Sequence, residues 1–162
     1  MDDTVDTVDT APNEASSPPA QPMTNDKIVL EEGVFAYEIE DQEIPESIKS
    51  TMTKLIVRGP VNAIGKEAFK ECASLKEIEF SDATALETIG ESAFFQCTYL
   101  AAFKCPSNVN TIGYQAFTEC TSLKEIDFSD ATALETIEEK AFWKCTSLAS
   151  AFKCPSNVKA IG

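Results

Sequence analysis

The sequence predicts an α/β solenoid, in which each coil of the chain adds one strand to a parallel β-sheet and one short helical turn to the opposite side. Residues 64–100 align without a gap with residues 112–148, and 27 of the 37 aligned positions are identical. Each of these blocks divides again, because a pattern of the form IGxxAFxxC recurs at intervals of 25, 23 and 25 residues. Its copies begin at Ile64, Ile89, Ile112 and, with Glu in place of Gly, Ile137. A period of this length is typical of solenoids built from one small unit per coil.

The strand of each coil is predicted from a period of two. In LKEIEF (75–80), the apolar Ile78 and Phe80 flank the charged Glu79, so one face of the strand is buried and the other is exposed. Equivalent strands are MTKLIV (52–57), LAAFKC (100–105) and LKEIDF (123–128). These strands predict a parallel sheet on the concave face of the solenoid.

The remaining part of each coil is predicted to be a turn followed by a short helical segment. SDATA or PSN leads from the strand to an apolar anchor, and AFxxC then places Ala, Phe and Cys at helical spacing on one side. One aromatic residue per coil predicts a packed column, formed by Phe69, Phe94, Phe117 and Phe142. Three residues after each Phe comes a cysteine, and these predict a second buried column of Cys72, Cys97, Cys120 and Cys145.

The combined pattern CxxLxxIxF, a spacer and LxxIGxxAFxxC resembles the BspA-like class of leucine-rich repeats, over residues 48–162. The resemblance implies a right-handed coil with a parallel sheet on the concave face and short helical turns on the convex face. It also implies protein binding of the kind known for surface and adhesion proteins, without naming a partner.

Three regions are predicted along the chain. Residues 1–26 contain six acids and no base and are expected to be a disordered tail, because so polar a segment cannot bury enough apolar surface to fold. Residues 27–47 are expected to form an N-terminal capping element, and residues 48–162 the repeat array. The final KAIG (159–162) begins a further repeat, so the array is expected to be truncated at its C-terminal end.

The composition of the chain argues against several classes of function. Beyond the tail, 21 acids oppose 13 bases, a balance that argues against binding to nucleic acid or to an anionic membrane. No signal peptide or apolar membrane span is visible, so the compartment is unknown with the cytoplasm favoured. The chain contains no His, which removes the usual general base and argues against an enzyme.

Neither a metal nor another cofactor is expected. The four repeated cysteines would form a column one coil apart, whereas a zinc site needs ligands that converge on one point. Cys105 and Cys154 replace Phe80 and Phe128 on alternate strands and are interpreted as core residues.

Two departures from the repeat have structural consequences. Glu138 stands where other coils have Gly; it would be strained if that position required a positive φ, and the favoured alternative is that the position merely prefers Gly. LASAFKC (148–154) contains one residue more than LAAFKC, and this predicts a β-bulge at residues 149–151 that keeps Phe152 and Cys154 pointing inward.

The exposed strand positions form the candidate partner-binding row on the concave face. Its members are Lys76, Glu77, Glu79, Lys104, Lys124, Glu125, Asp127 and Lys153. Glu79, Lys104, Asp127 and Lys153 alternate in sign along the sheet, so they would also form a ladder of ion pairs that fixes register and solubility. The predicted function is a non-enzymatic module that binds an unknown protein partner. The alternative is a structural array segment of a larger surface or adhesion protein, with no ligand of its own.

Overall fold

The computed structural model describes residues 29–38, 44–148 and 154–161, and within them the chain forms a β-solenoid. Each complete coil contains a longer strand, a turn, a two-residue strand and a second turn region. The longer strands are β1 (Val29–Glu31), β2 (Val34–Tyr37), β3 (Lys54–Val57), β5 (Glu77–Phe80), β7 (Ala102–Lys104) and β9 (Glu125–Asp127). A single short helix, α1 (Glu46–Lys49), occurs in the described ranges and precedes the first regular coil.

The two-residue strands stack into a second sheet. They are β4 (Ala63–Ile64), β6 (Thr88–Ile89), β8 (Thr111–Ile112), β10 (Thr136–Ile137) and β11 (Ala160–Ile161). The sheet has the order β11-β10-β8-β6-β4, so every neighbour is the next coil along the chain, which gives about five coils. Each central isoleucine of this sheet points into the core, whereas Ile161 in the edge strand β11 is 61% exposed.

The predicted register of the longer strands is confirmed where they pair. β3 and β5 are parallel with Lys54 opposite Glu77 and Ile56 opposite Glu79, and β7 and β9 place Lys104 opposite Asp127. One continuous sheet was expected, but β5 and β7 are not hydrogen-bonded neighbours. The longer strands therefore form two groups, β1-β2-β3-β5 and β7-β9, with an interruption between them.

The N-terminal residues extend the first of these groups. β1 pairs with β2 in antiparallel fashion, and β2 pairs with β3 in parallel with Phe35 opposite Leu55. Phe35 and Tyr37 are buried in the same core as the repeats. This arrangement is compatible with the capping element predicted for residues 27–47, and the three domain boundaries stay predictions.

The prediction of short helical turns on the convex side is wrong, since none of the described AFxxC segments is helical. Their N–H groups alternate between two partners: Ala68 N donates to Gly65 O in the same coil (3.3 Å), and Phe69 N donates to Ala93 O in the next coil (2.8 Å). Glu67 and Glu71 have φ of 57° and 62°, and the equivalent residues of the other coils are also positive. A left-handed residue every four positions prevents an α-helix, so the segment is a chain of tight turns bonded to its neighbours.

The alternation of coil lengths has a structural basis in the turns after the longer strands. SDATA turns are two residues longer than PSN turns, and each PSN turn caps the longer turn before it. The Nδ2 atom of Asn157 donates to Leu134 O (2.6 Å) and Ala131 O (3.2 Å), and Asn108 Nδ2 donates in the same way to Thr84 O. Long and short coils are therefore complementary, and the structural unit is the pair of coils.

Close packing, and not a positive φ, explains the glycine at Gly90 and Gly113. A Cβ on Gly113 would lie 2.9 Å from Gly90 C and from Ile89 O, and neither Gly90 nor Gly113 has a positive φ. Glu138 is therefore not expected to be strained by a positive φ. Glu138 keeps the backbone bond of the glycine position, to Ile112 O (2.9 Å), and its carboxylate accepts a bond from Tyr114 N (2.8 Å).

Two sequence predictions concern the last described coil. The predicted bulge at residues 149–151 and the inward side chain of Phe152 lie outside the described residues. The prediction that Cys154 points inward is wrong, because Cys154 is exposed, whereas its equivalent Cys105 is buried. Cys105 is covered by the coil that follows it, and no later coil within the described residues covers Cys154.

Candidate interaction surface

The candidate row consists of residues in the longer strands and directly before them. We call the solvent side of β3, β5, β7 and β9, together with the exposed residues directly before these strands, the strand face. Six of the predicted residues are exposed there, Asp127 is half-buried, and Lys153 lies outside the described residues. The exposed six are Lys76, Glu77, Glu79, Lys104, Lys124 and Glu125.

The ion pairs on the strand face differ from the predicted ladder. Glu79 pairs backwards with Lys54 of the preceding coil (2.7 Å), and Lys54 also approaches Glu77 (3.2 Å). Lys104 pairs with Asp130 in the turn after β9 (2.8 Å), although Asp127 is its neighbour in register. The interruption between β5 and β7 removes the register that a pair between Glu79 and Lys104 would need.

These ion pairs shift the pKa values of their own side chains in the expected direction. Hydrogen bonds from Lys54 and Ser81 hold the pKa of Glu79 below its usual value, and the carboxylates of Glu79 and Glu77 raise the pKa of Lys54. The carboxylate of Asp130 raises the pKa of Lys104. Lys54 is half-buried and the other four groups are exposed, so we expect their ion pairs to contribute little to stability.

Lys54 was missed by the sequence interpretation, although a signal for it existed. Once MTKLIV (52–57) is aligned with LKEIEF (75–80), Lys54 stands opposite Glu77, as the structure confirms. Asp130 had no comparable signal, because its contact with Lys104 joins a turn to a strand of the preceding coil.

The single acidic exchange between the two repeated strands, Glu79 against Asp127, has a structural explanation. Asp127 is short enough to accept a hydrogen bond from Ser129 N two residues ahead (2.8 Å), which lowers its pKa. Glu79 is long enough to reach Lys54 in the preceding coil. Each carboxylate is therefore committed to a local contact that suits its length.

Two lysines of the candidate row differ from the other cations of the chain. Within residues 29–38, 44–148 and 154–161, every other lysine and the single arginine makes an ion pair at 4.0 Å or less. Lys76 and Lys124 make none there, and they occupy the same position in the two repeated units, just before β5 and β9. The adjacent Glu125 is likewise exposed and forms no ion pair with the described residues. This part of the strand face therefore presents uncommitted charges.

The aromatic column is confirmed as a packed core. Neighbouring rings of Phe69, Phe94, Phe117 and Phe142 stack with centroids 5.1–5.4 Å apart and interplanar angles of 11–14°. The first three side chains are fully buried. A cofactor site in this column would need polar groups at the same spacing, and the rings contact apolar neighbours instead.

The cysteine column is buried and has a bonding pattern that the sequence did not predict. The Sγ atoms of Cys97, Cys120 and Cys145 each donate to the carbonyl oxygen of the Phe in the preceding coil, at 3.1–3.2 Å. All six cysteines are free thiols, and among the described residues no cluster of three or more potential ligands could hold a metal ion. The thiols thus link successive coils as small, buried donors.

Burial makes these thiols unreactive, and a labelling experiment measures this directly. Burial raises the pKa of Cys72 and Cys105 to about 12 and that of Cys145 to about 11, and it raises the pKa of Cys97 and Cys120 as well. Because the thiolate is the reactive form, we expect a disulfide reagent at pH 8 to label Cys154 rapidly and the others only after unfolding. Replacing Cys154 with Ser should abolish the fast phase. Rapid labelling of a second thiol in that variant would contradict the burial of the column.

Comparison with known proteins identifies the repeat. The family described as BspA type leucine rich repeat region matches residues 43–162 in six copies. The chain belongs to this family. The resemblance inferred from the motifs is therefore confirmed, and leucine-rich repeats of this type account for the coils described above.

Two solved leucine-rich repeat structures share this fold. A leucine-rich repeat protein from Bacteroides ovatus is 28% identical with a TM-score of 0.61, over 71% of this chain and 29% of that protein. The T. pallidum leucine-rich repeat protein is 22% identical with a TM-score of 0.50, over 72% of this chain and 67% of its own. A leucine-rich cell surface protein from Faecalibacterium prausnitzii is 20% identical, over 68% of this chain and 41% of its own, with a TM-score of 0.41. No curated protein matched.

The described residues also bear on membrane spanning. They include no helix with the length and apolar character needed to cross a bilayer. The predicted compartment and the predicted lack of nucleic-acid and membrane binding stay predictions.

Proposed function

We propose that this leucine-rich repeat array is a non-enzymatic protein-binding module and that its strand face contacts the partner. Leucine-rich repeat proteins generally mediate protein interaction or adhesion, which supports binding as the class of function. The observation that carries the proposal to a particular surface is the pair of uncommitted lysines, Lys76 and Lys124. They stand at equivalent positions of two repeated units in a part of the chain where the other described cations are already paired.

Uncommitted charges suit a binding surface for a physical reason. A partner that contacts Glu79 or Lys104 must compete with an existing ion pair, whereas a partner that contacts Lys76 or Lys124 displaces only water. The two lysines belong to coils that are two apart, and successive coils are spaced by about 5 Å, as the stacked rings of the aromatic column show (5.4 and 5.1 Å between centroids). A single partner segment crossing the strands is able to reach both.

The test uses a charge-reversed double variant, Lys76→Glu with Lys124→Glu. We expect affinity purification from the native source with wild type as bait to recover a partner that this variant loses. The matched control, Lys66→Glu with Lys140→Glu, changes the net charge by the same amount away from the strand face and should keep the partner. Direct binding of the purified partner to all three proteins then measures the loss, with an expected tenfold or greater decrease, about 1.4 kcal/mol or more.

The alternative of a structural array segment without a ligand makes a different prediction. It is favoured by the local pairing of Glu79 and Lys104, which lets much of the strand face satisfy itself. Under this alternative, the wild type, the double variant and the control recover the same proteins. That result would refute the proposed binding surface.

A further inference from the structure

An open groove lies where β5, β7 and β9 pass into the turns that follow them, beside the interruption of the sheet. It has a volume of about 730 Å³, which lies in the range of known ligand-binding clefts. Its lining comes from three successive coils, and the apolar residues of its floor come from the first two. The floor residues are Ile78, Phe80, Ala83, Cys105 and Pro106.

The groove depends on a difference in size between the two coils. Phe80 at the end of β5 is followed by the smaller Cys105 at the equivalent position of the next coil. The Phe80 ring is only half-buried and meets the buried Phe103 edge to face, with centroids 6.0 Å apart. The longer strands on either side are hydrogen-bonded to their own neighbours. The apolar lining of the groove therefore lies at the junction of β5 and β7, and the turn after β9 adds polar residues to it.

The rim of the groove is acidic. Three carboxylates, of Glu79, Asp82 and Asp130, line it together with one cation, Lys104. Glu79 is paired with Lys54 from outside the groove, and Lys104 is paired with Asp130. No cation of the described residues lies within ion-pair distance of Asp82, so the rim carries an uncompensated negative charge. The chain as a whole, at a formal net charge of -14, adds to this field.

We infer that this groove receives an extended segment of the partner protein, which inserts an apolar side chain between β5 and β7 and places a lysine or arginine beside Asp82. The apolar floor supplies the burial, and the unpaired carboxylate supplies the preference for a basic neighbour. The inference rests on the proposed function and names the chemistry of the segment that binds. An acidic segment would be repelled by the carboxylates of the rim.

Nuclear magnetic resonance with isotope-labelled protein tests this directly. The probe is a capped peptide of alternating lysine and leucine, and its counterpart has glutamate in place of lysine. The basic peptide should shift the resonances of Ile78, Phe80 and Cys105, and the acidic peptide should leave them unchanged. Asp82→Asn should lower the affinity for the basic peptide about fivefold, as expected for the loss of one exposed ion pair.

Two features keep the experiment decisive. Asn tolerates the positive φ of Asp82, which is 61°, so the variant should fold. The control Glu87→Gln removes the same charge from an exposed position of the same coil outside the groove and should leave the affinity unchanged. Equal shifts with both peptides, shifts outside the groove only, no shifts at all, or an equal effect of Asp82→Asn and Glu87→Gln would each overturn the inference.

The outcome is separable from that of the proposed function. If the partner is lost with the Lys76 and Lys124 double variant while the basic peptide leaves the groove unperturbed, the strand face binds but the groove does not. If the peptide binds in the groove while the double variant keeps its partner, the groove is supported as a binding site. The proposed contacts of Lys76 and Lys124 with the partner are then refuted.

Discussion

Replacing Phe117 with alanine should lower the free energy of unfolding by about 3–5 kcal/mol, the usual cost of removing a buried phenylalanine. Its ring is fully buried and contacts three others, with centroids 5.1 Å from Phe94, 4.5 Å from Phe103 and 5.4 Å from Phe142. Because each coil of a solenoid is stabilised by its neighbours, the cavity should also weaken the coupling between coils. Urea denaturation followed by circular dichroism should show a lower midpoint and a broader transition.

The matched control is Phe142→Ala, which removes the same side chain from the end of the column. Phe142 is only half-buried and stacks on one ring of the column, Phe117, so its removal should cost clearly less. Equal losses for the two variants would mean that the column does not transmit stability between coils.

Replacing Gly113 with alanine should destabilise the fold by about 1–3 kcal/mol, as expected when an extra methyl group is forced into a packed site. The new Cβ would lie 2.9 Å from Gly90 C and from Ile89 O. Both are backbone atoms of the preceding coil, so no flexible side chain can move to make room. The same urea titration measures the loss.

The control for this variant comes from the chain itself, because Glu138 occupies the equivalent position of the next coil. Glu138→Ala removes the bond from Tyr114 N to the carboxylate and should cost about 1 kcal/mol or less. If Gly113→Ala is as stable as wild type, the close approach of the two coils is not a constraint. The preference for glycine would then need another explanation.

The repeat, its register and its core were predictable because they depend on residues that recur. Burial of Phe69, Phe94 and Phe117 follows from the single aromatic residue at a fixed place in every coil. The register of β3 on β5 follows from aligning their apolar positions, since successive coils of a solenoid place equivalent residues side by side. The exposure of Glu79 follows from the same alternation of apolar and polar positions, whereas Lys76 and Lys124 lie just before their strands and in phase with the inward Ile78 and Ile126.

The segment after each short strand was misjudged because its spacing is ambiguous. Ala, Phe and Cys spaced by one and three positions fit one side of a helix, but they equally fit a chain of tight turns. Hydrogen bonds to the next coil, such as Phe69 N to Ala93 O, favour the tight turns over a helix. An isolated segment does not have these bonds. Those bonds stabilise positive φ at Glu67 and Glu71, residues that from sequence alone favour a helix.

The sequence by itself determined the solenoid, its family and the residues that line its two faces, because these depend on a pattern repeated along the chain. The tertiary structure alone decided where the charges of the strand face find partners and where the sheet opens. Lys104 pairs with Asp130 across a turn, and β5 separates from β7 beside the small Cys105. Such features depend on how a long and a short coil fit together in space. The groove and the two uncommitted lysines follow from that fit.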